Sequence, residues 1–307
     1  MSREPLAILG PTASGKSAVA MALAIGERGR ELGVELVSID AMQVYRGMDI
    51  GTAKPTATEQ SLVRHHLIDL VDATENFTVS RFQTECRSVM ADIESRGGMA
   101  ILVGGTGLYL RAVVDDLEIP GQWPEVRAEL EYELETVGPE ALHRRLQALD
   151  PAAATKMEPT NGRRIVRALE VCLGGGRTFS SYGPGVDVYP PSRVRQVALR
   201  WDREVLARRI ESRVVAMVEA GLLDEVTNLH ATGLSPTAAQ ALGYKEMIDH
   251  LEGRTSLDEA VGTTILRTRQ FAVRQERWFR RDPRIEWFAV EDDPVTEVAP
   301  RLAATLA

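Results

Sequence analysis

The sequence predicts an α/β protein: a P-loop NTPase-like parallel sheet flanked by helices, carrying an inserted all-helical subdomain. The first observation behind this is the apolar run Leu6-Ala7-Ile8-Leu9. It leads directly into Gly10-Pro11-Thr12-Ala13-Ser14-Gly15-Lys16-Ser17 and then an Ala-rich helical pattern from Ala18 to Ala24. Strand, glycine-rich loop and helix therefore follow one another, the context a phosphate cradle requires. The second is the alternation of strand-like and helix-like patterns over the first ~115 residues, which implies a parallel sheet covered on both faces. The third is a change of texture after Pro120-Gly121, where only helical periodicity is found as far as Leu173.

The elements follow in order. Leu36-Val37-Ser38-Ile39 reads as a short strand ending at Asp40. Phe82, Cys86, Val89 and Ile93 recur at helical steps, so residues 79–95 read as an amphipathic helix capped by Thr78 or Ser80. Met99 to Val103 reads as a buried strand broken by Gly104-Gly105. The insertion repeats helical spacing at Val126, Leu130 and Leu134, at Leu142, Leu146 and Leu149, and at Ile165, Leu169 and Leu173. A loop rich in Gly, Ser and Pro runs from Gly174 to Ser192, and Val194 to Trp201 returns to alternation. Leu206, Ile210, Val214 and Val218 open the next helix, with Arg209 and Arg213 on one face. The expected division is a core of residues 1–120 and 191–307 around an insertion at 121–190. Sites on parallel sheets lie past the carboxyl ends of strands, so Ser17, Asp40 and Thr106 are expected to meet in one crevice.

Bulk properties narrow the function. No apolar run approaches the length of a membrane span and no signal-peptide core precedes the first strand, so no membrane partner is expected and the cytoplasm is the expected compartment. Cys86 and Cys172 lack C-x-x-C spacing, which removes a disulfide framework or a zinc site. The net charge of −8 opposes a nucleic-acid partner if averaged over the chain. Its distribution does not: residues 263–281 carry Arg267, Arg269, Arg274, Arg277, Arg280 and Arg281 against Glu276 alone, while acids gather at 125–140 and in a Glu291-Asp292-Asp293 tail. A local basic stripe can hold a polyanion on an acidic protein.

In the phosphate loop the backbone N–H groups and the helix N-terminus favour an anion, Lys16 reaches the outer phosphate, and the Ser17 hydroxyl is placed to touch Mg²⁺. A general ATPase or GTPase needs a second strand ending in a metal-supporting Asp. The later strand at 101–103 instead runs into Gly104-Gly105-Thr106-Gly107, and no N-K-x-D motif is present. A phosphate cradle with one carboxylate suits a reaction in which diphosphate leaves and the carboxylate takes a proton. A small-metabolite kinase and an ATP-driven nucleic-acid switch remain open at this level, but they leave Asp40 and the Arg-rich helix without a joint purpose.

Several blocks, in order, resemble the tRNA dimethylallyltransferase (isopentenyl-diphosphate:tRNA transferase) family. They are Gly10–Ser17, the long run Asp40-Ala41-Met42-Gln43-Val44-Tyr45-Arg46-Gly47-Met48-Asp49-Ile50-Gly51-Thr52-Ala53-Lys54-Pro55, and Val103 to Leu110. Further on come Arg163 to Glu170, Leu242-Gly243-Tyr244-Lys245-Glu246, and Thr268 to Gln275. The resemblance implies transfer of a five-carbon allyl group from dimethylallyl diphosphate to the exocyclic N6 amine of the adenosine 3′-adjacent to the tRNA anticodon (position 37). The loop Gly10, Pro11, Thr12, Ala13, Ser14, Gly15, Lys16 and Ser17 would then hold diphosphate rather than ATP. A relative acting on free adenosine nucleotides is the alternative nearest in chemistry.

Matched residue by residue, the family pattern implies Asp40 as the base receiving the amine proton. It implies Thr106 as a hydroxyl near the reacting carbon, and Arg213 with Lys16 as cations for the departing charge, with Mg²⁺ on Ser17. For tRNA it implies Asp40, Ala41, Met42 and Gln43; Arg163, Arg164 and Arg167; Gln240, Gly243, Tyr244 and Lys245; and Arg274, Arg277 and Arg280, with Arg127 matched to a position linked to the active site. Trp278 and Phe279 read as packing residues. The insertion and the last basic helix would clasp the anticodon stem-loop, with the protein acting as a monomer. Ala41 departs from the small polar residue usual after the Asp, and the resemblance leads us to expect the bacterial type, without the eukaryotic zinc-finger extension.

Overall fold

The computed structural model describes residues 3–183 and 185–306. The chain forms two compact units, residues 1–114 with 191–307, and residues 115–190.

The first unit contains, in chain order, β1 (Leu6–Leu9), α1 (Lys16–Ile25), α2 (Glu27–Glu31), β2 (Val34–Ser38), α3 (Ala57–Leu62), β3 (His65–His66), α4 (Val79–Ser95), β4 (Met99–Gly104) and α5 (Gly107–Val114). The second holds α6 (Pro124–Val137), α7 (Pro139–Leu149), α8 (Pro151–Thr155) and α9 (Gly162–Gly175), with a 3₁₀ turn at Phe179–Ser181. The first unit resumes with β5 (Arg195–Trp201), α10 (Arg203–Glu219), α11 (Leu222–Thr232), α12 (Tyr244–Leu251), α13 (Leu257–Phe279), β6 (Glu286–Val290) and α14 (Pro294–Ala303), with a second 3₁₀ turn at Ala238–Gln240.

Six strands among the described residues form one sheet in the order β3-β2-β4-β1-β5-β6, every pair parallel. The strand period of two sorts their side chains onto two faces. Ala7, Leu9, Val37, Ile39, Ala100, Leu102 and Ala198 enter one apolar core, with Phe82, Cys86 and Ile93 of α4 and Tyr244 and Met247 of α12. Leu6, Ile8, Leu36, Ile101, Val197 and Leu199 enter the other, beneath α1, α10 and α14. Burial on both faces explains why these strands are continuous apolar runs.

Register then positions the site. Leu9 pairs with Gly104 and Ser38 with Val103, so the carboxyl ends of the neighbouring strands β1, β4 and β2 finish at one level. The phosphate loop, the Gly105-Thr106 turn and Asp40 all leave from that edge.

Several elements differ from the expectation read off the chain. The 291–293 acids are not a tail but lead into α14: Asp293 caps that helix, and Glu297 accepts from the N–H groups of Glu291, Asp292 and Asp293. The edge strands β3 and β6 add to the sheet, and α13 ends at Phe279, which puts Arg281 beyond the helix. In the second unit Leu130, Leu142, Leu146, Ile165, Val166 and Leu169 make a core of their own, and its described residues include no strand.

Candidate active site

The phosphate loop is held from three sides by side chains of the first unit. Gly10 (φ 149°), Ala13 (φ 63°) and Gly15 (φ 84°) all have positive φ. Ala13 is the one non-glycine among them, a conformation that persists only when its surroundings enforce it. They do: Arg209 of α10 donates from Nε to the Ala13 carbonyl at 3.0 Å, and Trp201 at the end of β5 donates from Nε1 to the Ser14 carbonyl at 2.9 Å. The Arg209 guanidinium lies over the Trp201 ring, 4.2 Å from its centroid. On the third side, Gln275 of α13 accepts from the Thr12 N–H at 2.9 Å. Ser14 is fully buried and its hydroxyl has no hydrogen-bond partner among the described residues, which leaves it available as a donor.

Lys16 is the first residue of α1, and its ammonium donates to the Pro11 carbonyl at 3.4 Å. Burial, then repulsion by Arg213, lower its pKa to about 8, with Asp40 pulling the other way. Arg213 is likewise lowered by burial and supported by Asp40. Two cations and one carboxylate thus share a field, and an anion between the cations would relieve the strain on both. An open cavity of about 510 Å³, lined by Ala13, Gly15, Arg208, Arg209, Ser212 and Arg213, lies against the loop.

Asp40 follows β2 in an Asx turn: Oδ1 accepts from the Met42 N–H at 2.8 Å, while Oδ2 has no hydrogen bond among the described residues. Thr106 Oγ1 accepts from the Ala41 N–H at 3.3 Å, so Ala41 serves through its backbone. Tyr109 of α5 is buried with its hydroxyl pKa raised, by burial first and then by Tyr45 and Asp40.

The 40–55 segment is fixed by polar groups that sequence reasoning gave no role. Lys54, almost wholly buried, donates to the Tyr45 carbonyl at 2.8 Å and to Asp49 and Asp69 at 2.5 and 2.6 Å. Glu225 of α11 accepts from the N–H groups of Asp49, Ile50 and Gly51.

The structure brings Lys16, Asp40, Thr106 and Arg213 together but treats the matched RNA residues unequally. Arg163 and Arg164 on α9, Arg274, Arg277 and Arg280 around the end of α13, and Gln240 are exposed, and Lys245 and Met42 are half-buried. Gln43 is engaged within the fold, accepting from Ser38 and donating to the carbonyls of Thr52 and Ala53. Arg127 and Arg167 both pair with the buried Glu170. Tyr244 is fully buried, its hydroxyl donates to Glu225 at 2.5 Å, and its ring fills the space beside Gly51. Gly243 is buried beside it, with its N–H donated to Glu246. Among the loop's supports, Arg209 was detectable from its four-residue spacing to Arg213. Gln275 closes one of the recognised blocks and Trp201 ends a strand-like run, but nothing local signals their contacts with the loop.

A family model described as IPP transferase matches residues 43–282. The chain is 52% identical to a tRNA dimethylallyltransferase of Kineococcus radiotolerans over 295 residues, 94% of this chain and 92% of that protein. A crystal structure of the full-length tRNA isopentenylpyrophosphate transferase of Bacillus halodurans matches with a TM-score of 0.69 at 40% identity, covering 98% of this chain and 96% of that one. A eukaryotic dimethylallyltransferase solved acting on tRNA matches with a TM-score of 0.79 at 27% identity, covering 99% of this chain and 78% of that one. Matched by the family model over most of its length and by these relatives over nearly all of it, the chain belongs to the IPP transferase family.

Proposed function

We propose that this protein transfers the dimethylallyl group from dimethylallyl diphosphate to the N6 amine of the adenosine 3′-adjacent to the tRNA anticodon, position 37, releasing diphosphate. The observation that carries the reading is the electrostatic cluster at the phosphate loop. Lys16 is depressed by burial and by Arg213, and one carboxylate, Asp40, offsets both. Such a site wants a polyanion between its cations and a proton donor at its carboxylate.

In the proposed step, the N6 lone pair forms a bond to C1 of the allyl group as the C1–O bond breaks. The bonding electrons leave with diphosphate. An aromatic amine is a weak nucleophile, so the allyl carbon must gain positive character early and stabilisation is needed on the leaving oxygens. Lys16, the loop N–H groups and Arg213 provide it, with the Ser14 hydroxyl an available donor. Asp40, through Oδ2, takes the proton that N6 loses. The Thr106 hydroxyl orients the turn beside Asp40 through Ala41. Ser17, with an exposed hydroxyl in the first turn of α1, would hold Mg²⁺. When bound it would neutralise part of the leaving group's charge. For the RNA, the exposed Arg163, Arg164, Arg274, Arg277 and Arg280 are proposed to meet phosphates, with Met42 near the extruded base.

No described helix is long and apolar enough to cross a membrane. We propose a monomer working in the cytoplasm.

The test is mass spectrometry of nucleosides from unmodified tRNA incubated with the purified protein, dimethylallyl diphosphate and Mg²⁺, without ATP. One added allyl unit on adenosine is expected. Unmodified adenosine, or a product formed equally from free nucleotide, would overturn the reading.

A further inference from the structure

We propose that Gln275 is a positioning residue that sets the spacing between the phosphate loop and the Asp40 wall and couples it to the outer face of α13. This rests on the function proposed above. Gln275 is buried in the middle of α13. Its Oε1 accepts from the Thr12 N–H at 2.9 Å and its Nε2 donates to the Gly105 carbonyl at 3.0 Å. Only one orientation of the amide satisfies both, because an N–H needs an acceptor and a carbonyl needs a donor. Gly105 adjoins Thr106, whose hydroxyl takes the Ala41 N–H beside Asp40. One side chain therefore links the donor cradle to the wall that carries the base.

The contact is close. A Cβ on Gly105 would lie 2.1 Å from Gln275 Nε2, and one on Gly107 would lie 2.1 Å from the indole of Trp278, three residues further along α13. An apolar residue would dock the helix at lower desolvation cost, so a buried amide here has to justify itself through its two hydrogen bonds. Arg274 and Arg277 flank it in sequence and are exposed. A helix moves as a rigid element, so an anion drawn onto those arginines shifts or steadies the Gln275 amide and both loops with it.

The experiment titrates an unreactive thio-diphosphate analogue of dimethylallyl diphosphate with and without an anticodon stem-loop, in the wild type, Gln275→Met and Gln275→Glu. In the wild type the stem-loop should tighten analogue binding by about five-fold. Gln275→Met should weaken analogue binding alone by about ten-fold through two lost hydrogen bonds and remove the coupling, with stem-loop affinity alone little changed. Gln275→Glu keeps the acceptor for Thr12, loses the donor for Gly105, and should lose the coupling too. A lower melting temperature with normal analogue affinity and normal coupling would mark a purely structural role and overturn the inference. A wild type that binds neither ligand would overturn the proposed function itself, so the two failures are distinct. Hydrogen exchange in the wild type needs no variant: the stem-loop should slow exchange at the Thr12 amide with no donor present, and unchanged exchange would overturn the coupling.

Discussion

Lys16 and Asp40 owe their chemistry to neighbours more than to their own types. Burial and Arg213 bring the ammonium to about 8, and Asp40 keeps it from going lower. The Asp40 carboxylate is anchored through Oδ1 alone, which leaves Oδ2 for a proton. Asp40→Asn should keep the Asx turn and lower single-turnover transfer by about 10²–10⁴-fold. Stem-loop affinity should stay within about two-fold, since phosphate contacts supply most of it; a variant with near-normal turnover would remove Asp40 as the base. Gly51 shows a steric limit. A Cβ there would lie 2.4 Å from the Tyr244 ring, which is fully buried and tethered to Glu225. Gly51→Ala should therefore cost about 1–3 kcal/mol by overpacking, read by urea denaturation; an unchanged midpoint would show that the ring can move.

Among the elements, α13 does two things. Its buried side reaches the phosphate loop through Gln275, and its exposed side presents Arg274 and Arg277. Replacing both arginines with Gln should reduce the slope of log affinity for tRNA against log salt by about one to two. An unaltered slope would move the RNA elsewhere. On β2, Glu35 accepts from Arg96 and pairs with His66 at 2.6 Å, and these hydrogen bonds, Arg96 first, lower its pKa from 4.5 to about 2. The folded state thus binds fewer protons at Glu35 than the unfolded chain does. The stabilisation is complete above pH 4.5 and is lost as pH falls toward 2. Glu35→Gln should be less stable than the wild type near neutrality, and the gap should close through that acid range; a constant gap would mean that the carboxylate charge contributes nothing.

How far such elements could be read in advance depended on the range of the interactions that make them. Helix α4 was legible because Phe82, Cys86 and Ile93 recur on its buried face and Thr78 caps it, all within a few turns of chain. The strand end before Asp40 was legible for the same local reason. Strand β3, two residues long, exists only through its pairing with β2, and the 291–293 turn is closed by Glu297, which accepts from its three N–H groups, while Asp293 alone caps α14. Gln275 lies 263 residues from Thr12, so nothing near it in sequence announces the contact. The burial of Tyr244 is likewise not legible, because an aromatic hydroxyl in such a block looks the same in sequence whether or not it donates to Glu225.

At the scale of the whole molecule, the helical unit interrupts the crossover from β4 to β5 without disturbing the sheet, since β5 pairs with β1 and not with β4. Its core is built from residues of the unit itself. Residues 115–190 expressed alone should give a helical circular-dichroism spectrum and a cooperative melt; a coil spectrum would show that this core depends on the rest of the chain. The central claim concerns what the glycine loop grips, and equilibrium titration of the intact protein with the thio-diphosphate analogue and, separately, with ATP tests it most directly. The account predicts saturable analogue binding that Lys16→Ala weakens by at least about ten-fold, with ATP binding far more weakly. Tight ATP binding with no binding of the analogue would contradict it.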